Sequence, residues 1–185
     1  KVYKNVEVEE VAFIVGDFTQ TKKLVVGSLL GAIAFMLQSA GVFAGIGYLF
    51  SMMSTAPLVL ASLLSLKIGT MTYFVTIFLL ALFQPSELWV FPFTTGILGL
   101  ALGAGFKYFK RSIFIVPFAA ICLSLGIIIL LYGLKFPILG PSVTTNFSSV
   151  VILAILAFSL LYSWVWQFIS LFIIKLLKRI LPRPY

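Results

Sequence analysis

The sequence predicts an all-α membrane protein, a compact bundle of six transmembrane helices with both termini on the cytoplasmic side. Three observations carry this expectation. Hydrophobic residues make up 62% of the chain and charged residues only 10%. The apolar residues gather into six long stretches, and the basic residues fall in alternate gaps between them. A helix satisfies its own backbone hydrogen bonds and rises about 1.5 Å per residue, so about 20 apolar residues suffice to cross a hydrocarbon core.

Taken in order, residues 1–21 form a cytoplasmic segment. Lys1, Lys4, Glu7, Glu9, Glu10 and Asp17 interleave there with valines, Phe13 and Ile14, a composition that suits a membrane surface or a partner. The transmembrane domain covers 22–177. Its first span runs about 24–40, with Thr19 or Thr21 placed to cap it. The second, about 49–66, is the least regular. Only 56–66 is continuously apolar, and Pro57 either sits within a full span or opens a short helix at its first turn, leaving 41–55 as a loop. The remaining spans fall at about 68–84, 88–106, 112–134 and 148–174, followed by a basic cytoplasmic tail at 178–185.

Charge fixes the expected orientation, because Lys and Arg are retained on the cytoplasmic side. Lys1, Lys4, Lys22 and Lys23 precede the first span, and Lys67 separates the second from the third. Lys107, Lys110 and Arg111 separate the fourth from the fifth, while Lys175, Lys178, Arg179 and Arg183 follow the sixth. Of the thirteen basic residues only Lys135 falls on the other face. The net charge of +8 therefore flanks apolar spans instead of striping a soluble fold. It points to anionic lipid as the electrostatic partner, not to nucleic acid. The chain belongs, on this reading, in a cell membrane as a multi-pass protein.

Several chemistries lack their residues. The chain has no His, no acid within any span, and a single cysteine, Cys122, which cannot form an intrachain disulfide. No metal site, cofactor or catalytic pair is expected, so the chain does not read as an enzyme. Proton-coupled carriers place carboxylates or imidazoles in the membrane, and ATPases carry a phosphate loop; neither feature is present. Active transport by this chain would need energy from another polypeptide.

What remains is a concentration of polar and aromatic residues at the outer ends of the spans. Gln38 and Ser39 end the first; Tyr48, Ser51, Ser54 and Thr55 follow. Glu87, Trp89, Thr94 and Thr95 open the fourth, Tyr132 and Lys135 close the fifth, and Asn146, Ser148 and Ser149 begin the sixth. In a compact bundle these converge, and the candidate substrate-binding set is Gln38, Tyr48, Glu87, Trp89, Thr94, Thr95, Tyr132, Lys135, Asn146 and Ser149. Interfacial anchoring accounts for Trp and Tyr equally well. Glu87 and Lys135, the two outer charges, either pair with each other or flank a polar ligand. The glycine-rich, apolar segment 41–55 has the composition of a lid. Small residues on the first span (Gly27, Ser28, Gly31, Ala32) and on the fourth (Gly96, Gly99, Gly103, Ala104) mark close helix contacts, either within the bundle or with another subunit.

This layout resembles the substrate-binding S component of energy-coupling factor transporters over about residues 22–180. Ala56-Pro57-Leu58-Val59-Leu60-Ala61 followed by Leu66-Lys67-Ile68-Gly69 is similar to the family's second span and its basic cytoplasmic turn. Phe91-Pro92-Phe93-Thr94-Thr95-Gly96, continued by Gly99 and Gly103, is similar to its fourth. The resemblance implies a vitamin-like small organic molecule captured from outside under the loop that follows the first span. It also implies a transmembrane coupling protein and two ATPase subunits as partners, with Gly27, Ser28, Gly31 and Ala32 in the places of the family's docking strip. The runner-up is a non-transporting membrane scaffold of the MreD type, which would use the same small-residue faces and need no ligand pocket.

Overall fold

The computed structural model describes residues 18–43, 45–109, 111–136 and 148–180. Among these residues the regular structure is entirely helical, and six helical stretches are long and apolar enough to cross a membrane. The exterior carries Phe74, Phe78, Phe83, Leu153, Leu161, Phe168 and Phe172, all strongly exposed. A soluble protein rarely presents so much contiguous apolar surface, whereas lipid solvates it at no cost. Of the expected terminal segments, 1–21 and 178–185, residues 1–17 and 181–185 lie outside the described residues.

Helix α1 (Gln20–Ser39) begins at Thr19, whose Oγ1 accepts from the Lys22 N–H at 3.4 Å. It runs into a 3-10 turn (Ala40–Phe43) and then α2 (Ile46–Met53). The reversal requires glycine twice. Gly45 has φ +54, and a Cβ on Gly47 would collide with the Ala40 carbonyl oxygen.

The second span is two stacked helices, α2 and α3 (Thr55–Leu64), interrupted at Ser54. Pro57 explains the break, since it has no N–H for the Met53 carbonyl and fits only in the first turn of α3. Residues 46–53 are nonetheless helical, so most of 41–55 is not an open loop.

A one-residue turn at Ser65 follows. Its backbone is extended, and its Oγ accepts from the Ile68 N–H at 3.1 Å, capping α4 (Leu66–Phe83). Lys67 and Gly69, expected to form the turn, instead lie in the first turn of α4.

The fourth span is also split, into α5 (Val90–Phe93) and α6 (Thr95–Tyr108) with Thr94 between them. Helix α7 (Ser112–Ile128) ends in a π-helical turn, Ile129–Gly133, and α8 (Ser149–Ile180) packs along α7.

Helices α1, α3 and α4 pack mutually at one side of the bundle, and α6, α7 and α8 follow from α3 in sequence. Glycines let the backbones close. Gly99 and Gly103 of α6 meet Leu58 and Ser62 of α3. Gly27 and Gly31 of α1 face α4, where the Thr72 and Thr76 hydroxyls donate to the Gly27 and Gly31 carbonyls at 3.0 and 3.3 Å. Interhelical hydrogen bonds of this kind contribute roughly 0.6 kcal/mol each in apolar surroundings. One core cluster, including Leu98, Leu102, Ile115, Leu123 and Trp166, fills the α3–α6–α7–α8 side. A smaller one of Ala34, Leu58, Leu80 and Phe91 fills the α1–α4 side.

Candidate functional site

The end of α1, helix α2, the α4–α5 turn, the start of α6 and the end of α7 meet at one end of the bundle. The helix directions place this end opposite Lys22, Lys23, Lys67, Lys107, Lys175 and Lys178. A cavity of about 450 Å³ opens there, a size that suits a small organic molecule.

Its polar wall is organised by Gln38, which is fully buried. The Gln38 Oε1 accepts from Ser54 Oγ at 2.7 Å and from Thr95 Oγ1 at 2.9 Å, and its Nε2 donates to Glu87 Oε2 at 2.8 Å. The carboxylate fixes the amide's orientation. Hydroxyls can donate or accept, but an ionised Glu only accepts, so the nitrogen must face it. Thr55 Oγ1 donates to the Thr95 carbonyl at 3.3 Å and ties α3 to α6 beneath the cluster. Gly41 lets the carboxylate approach, since a Cβ there would stand 3.0 Å from Glu87 Oε1.

The opposite wall is apolar and aromatic. It comprises Leu123 and Ile127 from α7, Phe136 just beyond the π-helical turn, and Phe158 and Tyr162 from α8. The Phe158 and Tyr162 rings stack with centroids 5.4 Å apart.

Of the residues expected from sequence, Gln38, Tyr48, Glu87, Thr94 and Thr95 line the cavity together. Trp89 is exposed and is not among the lining residues. Tyr132 packs against the larger core cluster instead, while Lys135 and Ser149 are exposed and stand off the cavity. Lys135 has a left-handed backbone, φ 52. Glu87 takes its hydrogen bond from Gln38, not from Lys135. Asn146 lies outside the described residues. On the first span, Gly27 and Gly31 are buried against α4, the intramolecular alternative for that strip; Ser28 is exposed and Ala32 half-buried.

Sequence reasoning did not place Met52, Ser86, Val90, Leu123, Ile127, Phe136, Phe158 or Tyr162 at the site. Leu123/Ile127 and Phe158/Tyr162 are each spaced four apart, so each pair shares a helix face. In spans apolar on every side that spacing does not separate a cavity wall from a lipid-facing surface. Ser51 and Met52 carried a signal in the glycine-rich segment, as neighbours of Tyr48.

Among the described residues no three His, Cys, Asp or Glu side chains converge as a metal site would require. The arrangement is suited to holding a small molecule between a hydrogen-bonding wall and a ring-lined one. Comparison with known proteins found no matching family model, no similar curated protein and no similar solved structure.

Proposed function

We propose that the chain is the membrane-embedded substrate-binding subunit of an energy-coupling factor importer, with both termini in the cytoplasm and the cavity facing outside. A vitamin-like small organic molecule enters the cavity, with α2 as the segment beside its mouth. A separate transmembrane coupling protein and two ATPase subunits drive its delivery. The observation that carries this reading is the cavity beside the Gln38 cluster, at the end of the bundle opposite Lys22, Lys23, Lys67, Lys107, Lys175 and Lys178. Retention of Lys and Arg in the cytoplasm turns that end outward, toward arriving substrate.

The contacts of α1 shape the proposed docking. Gly27 and Gly31 are occupied by α4, so a coupling protein would meet α1 on its Ser28 side, beside the exposed Leu24, Val25 and Leu29. Anionic lipid accompanies the basic cytoplasmic ends.

Thermal unfolding of the purified chain across a panel of vitamins tests the reading. A ligand at about 100 times its dissociation constant adds about 2.7 kcal/mol. Stabilisation by one panel member, together with copurification of a coupling protein and an ATPase pair, is the expected outcome. No stabilisation and no such partners would favour the scaffold reading.

A further inference from the structure

We infer that the cavity selects a singly cationic ligand, an ammonium or comparable nitrogen cation on an apolar or ring-bearing body, with Glu87 as its counter-ion. This rests on the small-molecule-binding reading above and adds the ligand's charge. Glu87 is the one acidic side chain among the described residues, and it lines the cavity. No Lys or Arg is among the described lining residues. Gln38 takes up one carboxylate oxygen, Oε2, and the other, Oε1, lies beside Gly41, which carries no Cβ to crowd it. A carboxylate offers about four lone-pair sites, so capacity remains for a ligand donor.

Two of the lining hydroxyls, Thr94 and Thr95, point the same way. Thr95 Oγ1 donates its hydrogen to Gln38 Oε1, and Thr94 Oγ1 donates to the Val90 carbonyl at 2.7 Å. Their remaining capacity is as acceptors, which an anion cannot use and an ammonium can. Across the cavity, Phe136, Phe158 and Tyr162 offer ring faces and edges to an apolar body, and aromatic faces also attract cations. Low local dielectric strengthens the charge pairing relative to water.

The test measures binding of phenylpropylammonium, phenylpropanol and phenylpropanoate to the full chain in lipid nanodiscs, for wild type and Glu87→Gln. In wild type the ammonium should bind at least about tenfold more tightly than the alcohol, a difference of about 1.4 kcal/mol, and the carboxylate more weakly still. In Glu87→Gln the ammonium preference should shrink to within about twofold. The wild-type ranking decides the matter even if the variant does not fold. Alcohol or carboxylate binding as tight as the ammonium would overturn the charge assignment while leaving a small-molecule site in place. An undiminished ammonium preference in folded Glu87→Gln would remove Glu87 from the role. Failure of all the probes would overturn the site and the charge assignment together.

Discussion

Gln38 Nε2 donates to Glu87 Oε2 at 2.8 Å, joining the end of α1 to the turn between α4 and α5. The same amide holds Ser54 and Thr95 through its oxygen, so one buried side chain links four separate stretches of the bundle. Its position in the sequence, at the end of an otherwise apolar span, marks it as expensive unless fully bonded.

Gln38→Leu should therefore destabilise the protein by about 1–3 kcal/mol, because it strands the Ser54 and Thr95 hydroxyls and leaves Glu87 without its donor. Gln38→Glu keeps an acceptor for the two hydroxyls but sets a second carboxyl against Glu87. Thermal unfolding in detergent should show both variants below wild type. Unchanged midpoints in both would mean that the cluster contributes nothing.

Gly41→Val tests the approach of the carboxylate. A Cβ at residue 41 would stand 3.0 Å from Glu87 Oε1 and 3.3 Å from Ser51 Cβ, and the added methyls need more room still. Phenylpropylammonium affinity should fall by about tenfold or more, with a smaller loss in Gly41→Ala. Titration of the three proteins in nanodiscs checks the order, and equal affinities would contradict it.

A third prediction separates packing from conformation. A Cβ on Gly126 would collide with the Phe93 carbonyl oxygen, a backbone atom that cannot rotate aside, so Gly126→Ala should cost about 1–3 kcal/mol. Gly133→Ala is the control. Among the described residues its Cβ would meet only Ile129 Cγ2 at 3.8 Å, and its unfolding midpoint should match wild type.

Orientation can be read by labelling cysteines in a Cys122→Ala background. Ser86 and Tyr108 are both exposed and lie at opposite ends of the bundle. In intact cells an impermeant maleimide should label Ser86→Cys at once and Tyr108→Cys only after permeabilisation. The reverse pattern would turn the cavity toward the cytoplasm and remove the import reading.

The span count was legible because the bilayer imposes a length on apolar runs, and the charged gaps punctuate them. Pro57 announced the interruption of the second span. The fourth span carries Pro92, but its break falls two residues further on, at Thr94, where φ −124 and ψ −96 depart from the helix. The polar wall was legible in part, since Gln38, Glu87, Thr94 and Thr95 stand out against apolar neighbours. The ring-lined wall was not, because Phe158 and Tyr162 look like any other residues of a lipid-solvated helix. Gly27 and Gly31 were ambiguous for a different reason. Small residues serve contacts within a chain and between chains alike, and it is the close approach of Gly27 and Gly31 to α4, with the Thr72 hydrogen bond, that shows which face α4 occupies.

The most direct measurement is native mass spectrometry of the full chain, isolated in mild detergent from the membrane that makes it, beside Val90→Trp. Val90 lines the cavity, and an indole there would fill space the ligand needs. The expected result is a small-molecule adduct on wild type that is lost from Val90→Trp, while the variant unfolds at the temperature of ligand-free wild type. A wild-type protein that carries no adduct and gains no stability from any vitamin offered, or an adduct retained unchanged in Val90→Trp, would contradict a substrate site at this cavity.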